Sequence, residues 1–277
     1  MQDAETANSS KTDLSLLEKA AREAGAIALS YFQNDPEVWM KSGNSPVTEA
    51  DLAVDKFLAE MLQSARPDYG WLSEESEDDA ARLMADRLFV VDPIDGTRGF
   101  MAGSNDWTIS LAVVERKIHP DQQDVWRPVS AALFNPSRKE MYLAEEGQGA
   151  FKNGEPMKVA SPTDVSETQI YVSKPMYGSM KLERLGAVRT SHIASLAYRL
   201  ALVATGEISA AIAKPNSHDW DLAAADLLVQ EAGGILLGAH GDHVSYNAAL
   251  PKHGVLVAAE KKMARTLLDL TSWIEPL

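Results

Sequence analysis

The chain has 277 residues, enough for a sizeable core in one large domain or two packed ones, and its 40 Asp+Glu against 26 Lys+Arg leave a formal net charge of -14. Such a charge argues against a nucleic-acid partner, because binding a phosphate backbone gains its affinity from clustered cations that release counterions. Cysteine is absent, which removes disulfides and thiolate metal sites, and neither the acidic start MQDAETANSSKTD nor any later run is apolar enough for a membrane segment, so a soluble, cytoplasmic protein is expected.

After an unstructured lead, Leu17, Ala20, Ala21, Ala24, Ala28 and Tyr31 recur at helical spacing and predict an amphipathic helix over 13–33. A second helix is predicted in PVTEADLAVDKFLAEMLQSARP, with Thr48 as N-cap, Asp51 at the capping-box position and Pro67 as the stop. Strand signals then dominate, at 88–91, 108–115, 128–135 and 140–145, followed by the turn-rich GQGAFKNG. That succession predicts a largely antiparallel meander packed on the two helices. The last third alternates strands, at TQIYVS, ISAAIA, GILLG and GVLVAA, with helices from Ser191 to about Ala204, from Trp220 to Ala232 and at the end of the chain. A second sheet covered by helices is expected, giving two lobes, 1–155 and 156–277, that share a core.

The stretch VVDPIDGTRGF, residues 90–100, concentrates the chemistry. Asp92 follows an apolar strand, and Pro93, which donates no ladder hydrogen bond, predicts a turn there. The turn can point Asp92 and Asp95 into one concavity, while Gly96 allows close approach of backbone. If DGTRGF opens a short helix, the first N–H groups at Gly96 and Thr97 are unpaired donors. Two carboxylates beside such donors make sense with cations between them, and hard oxygen ligands suit Mg²⁺ completed by phosphate. Asp-Pro and Asp-Gly are also ordinary turn dipeptides, so the motif needs company. An aspartyl-phosphate mechanism is disfavoured, because its two aspartates stand two apart and here the spacing is three. Three other segments supply acids: Glu74 and Glu75 in SEES, Asp221 in the first turn of a predicted helix, and Asp51. Each has a plain structural explanation taken alone, as solvated face, dipole partner or cap.

Together VTEAD, SEES, DPIDGT and WDLAAAD with the following EAGG, in this order, resemble the inositol monophosphatase superfamily of magnesium-dependent, lithium-sensitive phosphatases. The resemblance runs from about residue 13 to residue 270. It implies an αβαβα five-layer sandwich of the inositol monophosphatase and fructose-1,6-bisphosphatase type, an α+β fold, in a homodimer that hydrolyses a small phosphorylated metabolite with two or three Mg²⁺ ions. Carried over residue by residue, it makes Glu74, Asp92, Asp95 and Asp221 metal ligands, with the Ile94 carbonyl as a further one. Gly96 and Thr97 become phosphate-binding positions, Thr97 with Asp51 the pair that orients and deprotonates water, and Glu75 a carboxylate that helps to hold water or a third metal. An inositol monophosphate-type substrate is the broad expectation. Lys214 stands where inositol-hydrolysing members often carry a glutamate, and Arg98 where bisphosphate-nucleotidase members place a lysine, so 3'-phosphoadenosine 5'-phosphate is the rival. Lys41 and Ser195 also fall at positions where the family meets its active site or substrate. A regulatory protein on the same fold is the reading from another class, and the complete ligand set argues against it. His240 and His243 read as a loop pair, and no G-x-S-x-G or H-E-x-x-H motif occurs.

Overall fold

Along the strand Arg87–Asp95 successive side chains enter different cores. Leu88 and Val90 pack on one side, Phe89 and Val91 on the other. This strand belongs to a seven-stranded sheet that runs in the order Gly70–Ser73, Arg87–Asp95, Thr108–Lys117, Val125–Asn135, Glu140–Glu145, Gly149–Lys152 and Glu155–Pro156. Its first pair is parallel and the others are antiparallel, as the meander pattern predicts. The computed structural model describes residues 12–34, 36–41, 46–118 and 124–271; the expected unstructured lead lies outside them.

Helices α1 (Asp13–Tyr31) and α2 (Glu49–Ala65) cover one face of this sheet through Leu17, Ala24, Val54 and Leu58. Gly25 lets α1 sit close, since a Cβ there would stand 2.6 Å from the Phe134 ring. The short helix α3 (Thr97–Met101) follows the strand Arg87–Asp95 directly. Beyond lie α4 (Lys174–Ser179), α5 (Leu196–Ala204), α6 (Asp219–Glu231) and α7 (Lys261–Asp269). The second sheet has five strands, ordered Val188–Arg189, Gln169–Tyr171, Ala210–Ala213, Leu256–Glu260 and Gly234–Leu237.

Helices α5 and α6 are sandwiched between the two sheets. Ala201, Leu222, Ala225 and Leu228 share one core with Val90 and Ala112 of the first sheet and with Leu236 and Ala258 of the second. The high alanine content of these helices follows, since a helix buried on two sides needs small side chains for close approach. Met176 of α4 and Met263 and Leu267 of α7 close the outer face of the five-stranded sheet. The result is the αβαβα sandwich, and the central core joins both halves of the chain.

Two local expectations change. Pro93 does not end its strand: pairing with Thr108–Lys117 continues to Asp95 across a register shift between Asp92 and Asp95. The shift behaves as a bulge, which absorbs the missing proline donor. Helix α5 begins at Leu196, not Ser191, because the Ser195 side chain caps it by accepting from the Tyr198 N–H at 2.9 Å. The glycine-rich segment forms hairpin turns as expected, with Gly147, Gly149 and Gly154 at positive φ.

Candidate active site

The site forms where the Arg87–Asp95 strand ends against the first turns of α2, α5 and α6. Carboxylate oxygens of Asp92, Asp95 and Asp221 lie within 4.8 Å of one another. The bulge at Asp92 to Asp95 brings the first two together, and the capping box of α6 fixes the third: Asp221 Oδ2 accepts from the His218 N–H at 2.7 Å. Asp95 caps α5 from outside, accepting from Ser195 Oγ at 2.5 Å and from the Ala197 N–H at 2.6 Å. Asp92 Oδ1 accepts from the Ile94 N–H at 3.1 Å, while its buried Oδ2 has no hydrogen-bond partner.

Burial, then the charges of Glu74, Asp95, Asp221 and Asp51, pushes Asp92 well above the usual carboxylate range. Burial and the Asp95 charge do the same to Asp221. Burial also raises Asp95, against the bonds from Ser195 and α5 that favour its charged form. Three crowded carboxylates with one orphaned oxygen are poorly stable as anions by themselves, and a hard cation would relieve both the repulsion and the unpaired lone pairs. The residues therefore fit a metal ion, and the all-oxygen donor set suits a hard divalent cation.

Glu74 stands beside this cluster but outside the 4.8 Å group. Lys41 holds the acidic pair, with its Nζ 3.4 Å from Glu74 Oε1 and 2.6 Å from Glu75 Oε2. Burial lowers the Lys41 pKa, but the two glutamates more than offset it and the ammonium is held above its ordinary value. Glu75 is pushed up to about 7, chiefly by burial, and its Oε1 has no partner. Glu77, Asp78 and Asp79 further along are exposed, as expected of a solvated run.

Asp51 sits in the third position of α2. Its Oδ2 accepts from the Thr48 N–H at 2.8 Å, which completes the expected capping box, and its Oδ1 accepts from Thr97 Oγ1 at 3.1 Å. The same hydroxyl lies 3.1 Å from the Ile94 carbonyl, so its one proton has two acceptors. Burial raises Asp51 as well. Gly96 adopts φ +95° as it turns the chain into α3, and a Cβ there would stand 3.0 Å from both the Asp106 carbonyl and the Ser195 nitrogen.

The open side is a cavity of about 320 Å³, whose lining includes the acids Glu74, Asp95 and Asp221 and the basic residues Arg98, His192, Arg199 and Lys214. The structure thus brings together Asp51, Glu74, Glu75, Asp92, Ile94, Asp95, Gly96, Thr97 and Asp221, with the exposed Arg98 and Lys214 lining the same cavity. Ser195 is the correction. It is fully buried, its hydroxyl is spent on Asp95 and lies 3.2 Å from Thr108, and it does not line the cavity. It holds the Asp95 carboxylate and does not face the cavity.

Arg199 escaped sequence reasoning. Its Nε and Nη2 donate at 2.8 Å to the Ile193 and Ala194 carbonyls, and its guanidinium stacks 4.2 Å from the Tyr171 ring centroid. Inside an alanine-leucine helix it reads as a surface charge. Only its spacing of four from Ser195, the cap of that helix, could have pointed back to the site. His240 and His243 are exposed and do not belong to the metal group found among the described residues.

Fold and site together define a layered sandwich of helices and sheets with a carboxylate pocket suited to a metal. The inositol monophosphatase family model matches residues 10–273, and the chain belongs to that family. An inositol-1-monophosphatase of Rhizobium meliloti is 31% identical, over 84% of this chain and 85% of its own length. A histidinol-phosphatase of Chlorobaculum parvum is 30% identical over 92% and 95%. Relatives of similar identity bear other names, a glucose-1-phosphate thymidylyltransferase of Streptomyces griseus at 32% (80% and 84% covered) and a Nus factor SuhB of Pasteurella multocida at 28% (92% and 94%). Among solved structures, an IMPase of Thermotoga maritima superposes with a TM-score of 0.79 at 25% identity, over 94% of this chain and 96% of its own.

Proposed function

We propose that the chain is a Mg²⁺-dependent phosphomonoesterase that releases inorganic phosphate from a small phosphorylated metabolite. The convergence of Asp92, Asp95 and Asp221, with the unpartnered Asp92 Oδ2 among them, carries this reading. Glu74 and the Ile94 carbonyl would complete the metal positions. When bound, the metal supplies charge neutralisation for the phosphoryl group and a lowered pKa for water.

The remaining work falls to the chain's own groups. Thr97 Oγ1, once it donates to Asp51 Oδ1, keeps lone pairs with which to orient an attacking water. Asp51, held by Thr48 and raised by burial, is the acceptor for the proton that the Thr97 hydroxyl passes on. Gly96 and Thr97 present N–H groups with no helical acceptor to the phosphate oxygens. No covalent intermediate is required, because in-line displacement at phosphorus depends on positioning and charge neutralisation.

The basic residues in the cavity lining favour one substrate class over another. Lys214, which lines the cavity together with Arg98 and Arg199, supports a substrate with a second anionic group, such as 3'-phosphoadenosine 5'-phosphate, over inositol 1-phosphate. Lithium sensitivity and assembly as a homodimer belong to the same proposal.

Phosphate release from inositol 1-phosphate, histidinol phosphate and 3'-phosphoadenosine 5'-phosphate, each with Mg²⁺ and with EDTA, tests both levels. Metal-dependent turnover of at least one is expected, with the bisphosphate preferred. If no small phosphate ester is hydrolysed in a Mg²⁺-dependent way, the enzymatic reading falls and a non-catalytic partner role replaces it.

A further inference from the structure

The acidic pair Glu74–Glu75 lies in an irregular segment after the strand Gly70–Ser73, yet it must hold a fixed place against ligands that stand on rigid elements. One buried side chain brackets it. Asp55, one turn along α2 from Asp51, accepts from Ser73 Oγ through Oδ1 and from Ser76 Oγ through Oδ2, each at 2.5 Å. The two serines flank the glutamates on either side. Ser73 Oγ also accepts from the Glu75 N–H at 3.4 Å, and Ser76 Oγ from the Trp71 indole N–H at 3.2 Å. Each hydroxyl therefore gives its one proton to Asp55 and takes a proton from the segment it anchors.

We propose that Asp55 is a positioning residue that clamps the Glu74–Glu75 segment into the site and so sets the geometry of the acidic rim. Asp55 is buried, both of its oxygens are used, and it faces neither the cavity nor the carboxylate cluster. A buried network with every member satisfied is rigid and fails as a unit when one member is lost. Helix α2 then performs two tasks from one face, since Asp51 bonds Thr97 and Asp55 holds the segment that carries Glu74. The inference rests on the reading of Glu74 as a metal position only for its functional consequence.

The test compares the full chain with Asp55→Asn and with the double variant Ser73→Ala/Ser76→Ala. Asparagine keeps the shape but cannot accept both hydroxyl protons in the same way. Hydrogen exchange of the peptides covering 71–77 is expected to rise at least about fivefold in both variants, while α2 stays protected. Mn²⁺ affinity, read by electron paramagnetic resonance, is expected to weaken by about tenfold, the loss typical when a group that orients a metal ligand is removed. Combining all three substitutions adds little further, because each breaks the same network. Unchanged exchange over 71–77 in Asp55→Asn, or an equal rise throughout α2, overturns the clamp. If the unsubstituted chain binds no Mn²⁺, the metal reading fails, while the exchange result still decides what Asp55 holds.

Discussion

Replacing Asp226 with asparagine should make the protein more stable at neutral pH. Asp226 lies in the middle of α6, buried between the two sheets; Tyr246 donates to its Oδ2 at 2.8 Å, and Oδ1 has no hydrogen-bond partner of good geometry. Burial drives its carboxyl up to about 6 from an ordinary 3.8, against the partial compensation from Gln230 and Tyr246. A raised native value means that the folded chain holds a proton the unfolded chain has lost. The stability tied to this proton is therefore fully present below pH 3.8 and lost as pH rises through about 6. A rise of about two pKa units corresponds to roughly 3 kcal/mol at about 1.4 kcal/mol per unit. Asparagine mimics the neutral form and still accepts from Tyr246. Urea denaturation of both proteins from pH 4 to 7.5, in EDTA, measures the difference. Its slope should approach about -1.4 kcal/mol per pH unit between the two pKa values and flatten above pH 7. The subtraction cancels the other carboxylates. A flat difference curve, or a wild type more stable than the variant at pH 7, would refute the reasoning.

Asp92→Asn should abolish Mg²⁺-dependent phosphate release by at least about 100-fold, the scale of losing a metal ligand or its support. Its melting temperature in EDTA should not fall, because the change removes a buried charge crowded by Asp95 and Asp221. Ser195→Ala should cost about 1 to 2 kcal/mol in denaturant unfolding, since α5 loses its cap and Asp95 a donor, with a fall in metal affinity measured by calorimetry. Gly25→Ala should cost about 1 to 3 kcal/mol by the same unfolding assay with the site unaffected, because its Cβ would meet the Phe134 ring at 2.6 Å.

The pattern of apolar residues determined much of this protein directly. Period-3.6 stripes marked α1 and α2, runs of β-branched residues marked the meander, and Thr48 with Asp51 spelled out a cap that the structure contains atom for atom. These features are legible because they depend on neighbours within a few positions. DPIDGT was legible as chemistry for the same reason, since two carboxylates and a glycine fall within five positions, although the strand runs through Pro93 to Asp95 where a turn was expected.

What tertiary structure alone decided involves groups far apart in the chain. Whether Asp221 meets Asp92 depends on α6 lying between two sheets, with its first turn aimed at the bulge of another strand. Ser195 carries a local signal for a cap, but its bond to Asp95, one hundred residues away, is invisible in sequence and turns an expected substrate contact into a support. Arg199 reaches the cavity only because α5 is packed with that face toward it, and Asp55 became a clamp only once α2 was laid beside Ser73 and Ser76. Local propensity sets which elements form. The burial of carboxylates against one another, which produces the metal-binding character, arises only when those elements pack.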